Sequence, residues 1–335
     1  MRERLSLETY LSGILAGDRI MLSRAITVVE SRLKKDQQLA QRILQGILPK
    51  TGNVLRIGIT GVPGVGKSTF IESFGQYLTS LGKRVAVLAI DPSSKKSGGS
   101  ILGDKTRMEK LSQNPLAFIR PSSTGLSLGG VTRTTREIML LCEAAGYEVI
   151  LIETVGVGQS ETLVKGMTDF FLLLMLAGAG DELQGIKKGI MEMVDAVVVN
   201  KSDGNNEQQA KLAISEYQNA LHMMPATPSG FPVQVLPCSA VENKGMEEIW
   251  QVIQQYSEAT SRNGFFEKNR QSQHIDWLHS LLQQNLIDLF YENDAVKRNM
   301  GLFEKTVSNG EILANDAAEK LMDLFLKSAN SSAKS

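Results

Sequence analysis

The sequence predicts an α/β fold: a doubly wound, mostly parallel sheet carrying helical extensions at both ends. Three observations predict it. First, short apolar runs alternate with helix-favouring stretches from about residue 54 to 258. Second, several of those runs are continuously apolar, as strands buried on both faces are. Third, Gly61-Val-Pro-Gly-Val-Gly-Lys67-Ser68 fits the phosphate-loop pattern G-x-x-x-x-G-K-[ST] between a strand and a helix. Together they specify a P-loop NTPase core.

The elements follow in order. Residues 1–50 are polar and helix-favouring, with Leu5, Leu11, Ile14, Ile26, Val29, Leu33 and Ile43 at mixed three- and four-residue steps. Pro49-Lys-Thr-Gly-Asn53 ends this helical region. The core, residues 51–260, opens with a strand at 54–59, the glycine turn, and a helix at 70–80. Further strands are expected at 84–90, 117–121, 149–153, 170–176, 196–200 and 233–237. Residues 261–335 read as helices, chiefly 274–290 and 311–326, with turns at Asn293-Asp294 and Asn309-Gly310. The apolar stripe of this tail must be covered by its own domain or by a second subunit.

Composition limits the function classes. The 335 residues carry 36 basic and 36 acidic side chains. Zero net charge argues against a broad nucleic-acid surface. The longest apolar stretch, 170–179, is too short to span a bilayer. The first residues, Met1-Arg-Glu-Arg-Leu-Ser-Leu-Glu8, include acidic side chains and lack an apolar signal core, so neither a secretory signal nor an organelle transit peptide is expected. Cys142 and Cys238 form no ligand spacing, which suits a reducing cytoplasm.

The phosphate loop supplies the first binding residues: Gly61, Val62, Pro63, Gly64, Val65, Gly66, Lys67, Ser68 and Thr69. Backbone N–H groups and the positive end of the next helix suit a polyphosphate. Lys67 is expected at the β and γ phosphates and the Ser68 hydroxyl on Mg²⁺.

Asn200-Lys201-Ser202-Asp203 at a strand end reads as the guanine-recognition motif N-K-x-D. A carboxylate at Asp203 accepts from both N1–H and the exocyclic amine of guanine; adenine offers no such pair, and the unpaired acid rejects it. Lys201 is expected to lay its stem along the base, with Asn200 tying loops together. Ser239-Ala240, after another strand, is read as the loop that meets guanine O6.

Magnesium is hard and takes oxygen ligands. Asp91, Asp104 and Glu153 are the candidate carboxylates. Glu153-Thr-Val-Gly156 stands where most GTPases have D-x-x-G, with Gly156 donating its N–H to the γ phosphate. No Gln directly follows Gly156; the nearest is Gln159. Arg133 and Arg136 are candidate sources of positive charge for the transition state. Slow hydrolysis, accelerated by a partner, is the expectation.

Three longer stretches carry a family resemblance: Ala89-Ile-Asp-Pro-Ser-Ser94, Gly98-Gly-Ser-Ile-Leu-Gly-Asp-Lys-Thr-Arg-Met108 and Glu153-Thr-Val-Gly-Val-Gly-Gln-Ser160. They resemble the methylmalonyl-CoA mutase-associated GTPases, also known as ArgK-type or LAO/AO transport ATPases, in the G3E group of SIMIBI proteins. The resemblance spans nearly the whole chain. It implies a homodimeric GTPase, binding GTP and GDP with Mg²⁺, that acts as chaperone for an adenosylcobalamin-dependent methylmalonyl-CoA mutase. The resemblance implies that such a chaperone gates cofactor loading and protects or reactivates that enzyme. The tail is then the dimerisation region. The resemblance also implies a mobile loop at 178–189, with Asp181, Gln184 and Lys187 coupling nucleotide state to the partner. Lys95-Lys96 has no assigned place in this scheme.

Two other functions compete. A metal-insertion GTPase needs His and Cys clusters, whereas this chain has three His and two isolated Cys. A transport ATPase or kinase is opposed by Asn200-Lys-Ser-Asp203. Metal content and a GTP-against-ATP comparison separate them.

Overall fold

The computed structural model describes residues 4–90, 108–121, 128–154, 160–177 and 188–332. Seven strands form one sheet: β1 (Leu55–Gly61), β2 (Val85–Ile90), β3 (Ala117–Arg120), β4 (Val149–Thr154), β5 (Phe170–Leu176), β6 (Ala196–Asn200) and β7 (Gln234–Pro237). Every pairing is parallel, in the order β3-β2-β4-β1-β5-β6-β7. All seven expected strands form, with ends displaced by no more than two residues.

The alternation along each strand divides the core in two. Phe170, Leu172 and Leu174 enter one apolar cluster, while Phe171, Leu173 and Met175 enter the other. Successive side chains point to opposite faces, so a strand covered on both sides must be apolar throughout. On one face, α4 (Lys67–Ser80) supplies Phe70 and Phe74, and α10 (Met246–Arg262) supplies Trp250, Ile253 and Tyr256. On the other, α6 (Leu128–Ala144) lies with the N-terminal helices α1 (Leu7–Leu15), α2 (Arg19–Val29) and α3 (Lys34–Ile47).

The N-terminal helices are capped as their sequence dictates. The Ser6 hydroxyl accepts from Thr9 N–H, and the Asp18 carboxylate accepts from Ile20 and Met21 N–H. Their buried residues, among them Ile14, Leu22, Ile26, Ile43 and Ile47, join the sheet's own core. Helices α1–α3 therefore belong to one compact unit, Met1–Gln273. The remaining helices between the strands are α5 (Glu109–Gln113), α7 (Ser160–Lys165), α8 (Lys188–Met191) and α9 (Glu207–His222).

The second compact unit is His274–Ser335. Its boundary lies thirteen residues beyond the 260/261 division read from sequence, inside α11 (Phe265–Glu292). The helices α12 (Asp294–Ser308) and α13 (Ala314–Ser332) follow. The Asn293 side chain caps α12, and Gly310 takes φ 71° in the turn that ends it. Helix α12 fills the interval between the two expected turns. Ile275, Leu278, Leu282, Leu286 and Leu289 are exposed on α11, whereas Val296 and Leu321 are buried.

Candidate functional site: a phosphate loop joined to a base-recognition loop

Strand β1 is central, with β4 on one side and β5 on the other. Chain direction from β1 diverges here, and open α/β sheets bind ligands outside the carboxyl ends of strands at such a point. The glycine loop lies at that end. Gly61, Gly64 and Gly66 have φ of 152°, 83° and 94°. A side chain at Gly61 would also strike the Leu174 carbonyl oxygen, 2.5 Å from an added Cβ. Glycine is required there on both counts.

Gly66 precedes α4, and Phe70 N–H bonds back to Gly66 O at 2.8 Å. The N–H groups ahead of Phe70 have no partner within the helix, which makes this turn an anion cradle. Val65 is anchored in the core, while Pro63, Gly64 and Thr69 are exposed. Lys67 is only 8% exposed, and its Nζ donates to Gly61 O at 2.7 Å and Val62 O at 3.2 Å. Burial lowers its pKa from the ordinary lysine value; the nearby carboxylates of Glu153 and Glu161 oppose that shift.

Glu153 is the next-to-last residue of β4, which pairs with β1 at Ile59. The Ser68 hydroxyl donates to Glu153 Oε1 at 2.9 Å. A hydroxyl and a carboxylate this close form a hard oxygen pair of the kind Mg²⁺ takes. Behind them, the Thr154 hydroxyl donates to that of Thr60 at 2.9 Å, both buried, tying the start of the loop to the end of β4.

The residues expected to recognise the base interlock with this loop. Asn200, 1% exposed, ends β6. Its Nδ2 donates to Val65 O at 2.9 Å. Its Oδ1 accepts from Ala240 N–H at 3.2 Å and from the Cys238 thiol at 3.3 Å. Lys201 sits in the left-handed region, φ 57°, with Nζ 3.2 Å from Gly64 O. A non-glycine residue there carries strain that surrounding structure must hold. The Ser239 hydroxyl donates to Asp203 Oδ2, and Ser202 N–H donates to Cys238 O. Ser239 and Ala240 are buried. Hence Asn200 does tie loops together, and Ser239 orients the carboxylate of Asp203.

The two candidate arginines make contacts within the chain. Arg133 pairs with Glu137 on its own helix at 3.1 Å. Arg136 donates to Gly166 O and Gln273 O. Asp91, Lys95, Lys96, Asp104, Gly156, Gln159, Asp181, Gln184 and Lys187 lie outside the described residues. Glu161 was missed in the sequence. It is 3% exposed in the first turn of α7 and contributes to the field at Lys67. An acid in a first helical turn ordinarily complements the dipole and reads as solvated, so nothing marked it.

The family model described as methylmalonyl Co-A mutase-associated GTPase MeaB matches residues 22–295. The chain belongs to the MeaB family. This MeaB-family chain is 47% identical over 313 residues to a probable GTPase of Mycobacterium tuberculosis, covering 93% of each. GTPase ArgK of Escherichia coli is 47% identical over 298 residues, covering 89% of this chain and 90% of ArgK. The mouse mitochondrial methylmalonic aciduria type A homolog is 43% identical over 334 residues, covering 97% of this chain and 80% of its own. Among solved structures, an LAO/AO transport system kinase superposes with TM-score 0.76 at 36% identity, covering 97% of this chain and 99% of that one. The MeaB family and its GTPase relatives accord with the fold and with the paired loops.

Proposed function

We propose that this protein binds GTP and hydrolyses it slowly, and that it serves as chaperone to an adenosylcobalamin-dependent methylmalonyl-CoA mutase. One observation supports the nucleotide reading above others. Asn200 joins the phosphate loop, through Val65 O, to the loop whose Ser239 holds Asp203. Phosphate and base recognition thereby share one rigid frame.

In this reading the N–H groups of residues 61–69 bind the phosphates, and Lys67 leaves its two loop carbonyls for the β and γ oxygens. Mg²⁺, when bound, neutralises charge on those phosphates. Ser68 and Glu153 hold it, Glu153 directly or through water, with Asp91 and Asp104 completing the set. Gly156 donates to the γ phosphate. Asp203 accepts from guanine, Lys201 covers the base, and Ala240 N–H meets O6. The mutase is proposed from the family description and from the resemblance of residues 89–94, 98–108 and 153–160. Asp181, Gln184 and Lys187 are proposed as the coupling residues.

We further propose a homodimer formed through the C-terminal unit, supported by the exposed leucines of α11. Among the described residues no helix is long and apolar enough to cross a membrane. The free thiols of Cys142 and Cys238 suit a reducing cytoplasm. The test is binding of Mg²⁺-GTP and Mg²⁺-ATP to the full-length protein. Preference for GTP by two orders of magnitude or more is expected (about 3 kcal/mol), and equal binding would refute the base assignment.

A further inference from the structure

The turn after α7, residues 166–169, is gripped from several directions by groups that nucleotide binding does not use. Arg136 Nη2 donates to Gly166 O at 2.5 Å, and its Nη1 donates to Gln273 O at 3.1 Å. One planar guanidinium thus bridges two backbone carbonyls, one at the end of α7 and one within α11. Gln273 is 4% exposed, and its Nε2 donates to Thr168 O at 2.8 Å. Three residues earlier in α11, Arg270 Nε and Nη2 contact the two carboxylate oxygens of Asp169 at 2.7 Å each. Asp169 also accepts from Arg56 N–H of β1 at 2.8 Å. Lys165, the last residue of α7, pairs with buried Asp195.

Helix α7 is no distant bystander. It is the first described element after β4, whose Glu153 meets Ser68. Its Val164 is fully buried, and a Cβ added at Gly58 of β1 would lie 2.8 Å from Val164 Cγ1. Its first turn holds Glu161, whose charge is felt at Lys67. Helix α7 therefore packs on β1 through Val164, next to the strand that carries the phosphate loop, and the turn that follows it is held by Arg136, Arg270 and Gln273. Interiors are close-packed, so a short helix packed on β1 and gripped at the turn that follows it passes displacement on rather than absorbing it.

We propose that Arg136 and Gln273 form a clamp through which the turn after α7 passes the state of the nucleotide site to the first turns of α11, the helix that runs on into the C-terminal unit. The clamp rests on the GTPase reading above and adds to it a route of regulation. Arg136 and Gln273 act as positioning residues; neither touches nucleotide. The charge of Arg136 is not what matters. Its fork, which satisfies two carbonyls at once, is.

Hydrogen exchange of the full-length protein, with Mg²⁺-GDP and with a non-hydrolysable GTP analogue, tests this. Peptides covering 61–69 report nucleotide binding; peptides covering 265–280 report the clamp. In the wild type, both nucleotides are expected to protect 61–69, and exchange in 265–280 is expected to differ between them by roughly fivefold or more. Arg136→Gln and Gln273→Ala should bind both nucleotides as the wild type does, yet lose that difference to below about twofold. Arg136→Lys should lose it too, since an ammonium lacks the planar fork. A merely structural role predicts faster exchange in both nucleotide states with the ratio kept, and that outcome overturns the clamp. So does a wild type in which 61–69 is protected while 265–280 is indifferent to the nucleotide. Should Arg136→Gln fail to fold, Gln273→Ala carries the same two outcomes. If neither nucleotide protects 61–69, the GTPase reading itself fails and the clamp falls with it.

Discussion

In the proposed reading, Asp203 and Gly66 are the positions at which single atoms decide nucleotide binding. Removing the Asp203 carboxylate deletes charge-assisted hydrogen bonds worth about 1.5–3 kcal/mol in such settings. Asp203→Ala should therefore weaken GTP by roughly 10- to 100-fold while leaving ATP binding and the fold unchanged, as titration calorimetry would show. Gly66 takes φ 94°, and a Cβ there would come within 2.9 Å of Asn200 Nδ2. Gly66→Ala should thus loosen the Asn200–Val65 link as well as strain the loop, and lower nucleotide affinity without abolishing folding. Cys238 donates to the same asparagine. Burial, helped by the charge of Asp203, pushes its thiol up to about 12. Raising an acid's pKa keeps it protonated, so the reactive thiolate is scarce at pH 8. Thiol titration should find Cys142 and Cys238 nearly inert in the native protein and both reactive after unfolding; rapid labelling of the native protein would contradict their burial. The phosphate loop and Asn200-Lys-Ser-Asp203 were legible in the sequence because their spacing reflects backbone geometry. Glu161 and the Cys238–Asn200 contact were not, since each depends on residues far apart in the chain.

At the scale of elements, the strands were legible and the C-terminal helices only partly so. Two-sided burial writes itself as runs such as Phe170-Phe-Leu-Leu-Leu-Met175, which read as strands without ambiguity. Helix α11 conceals its anchoring. Its buried residues are Arg270 and Gln273, which look solvated in a sequence, while its apolar stripe is exposed. The Arg270–Asp169 pair also binds Gly52 O and Val54 O, and joins the linker before β1 to the turn before β5. Asp169→Ala strands a buried guanidinium. It should cost about 3–5 kcal/mol in urea unfolding, because an uncompensated buried charge is far worse than an absent pair. A loss below about 1 kcal/mol would mean that Arg270 finds water, and that α11 is held more weakly than its contacts suggest.

For the whole molecule, the two compact units divide the labour in this account. The first, Met1–Gln273, holds the sheet and nucleotide loops; the second, His274–Ser335, presents uncovered leucines. In the proposed dimer this exposed apolar surface is the contact. Replacing Leu282 and Leu286 by Asp should convert a dimer to a monomer in sedimentation while GTP hydrolysis persists. An unchanged sedimentation coefficient would move the dimer contact elsewhere. Among the described residues of the first unit, Arg133 pairs with Glu137 on its own helix and Arg136 donates to the turn after α7. The most direct measurement is GTP hydrolysis by the purified full-length protein, alone and with an adenosylcobalamin-dependent methylmalonyl-CoA mutase from the same source. Slow hydrolysis, strongly stimulated by the mutase and absent in Lys67→Ala, is the result the account predicts. Fast hydrolysis by the isolated protein, or hydrolysis that the mutase leaves unchanged, would contradict it.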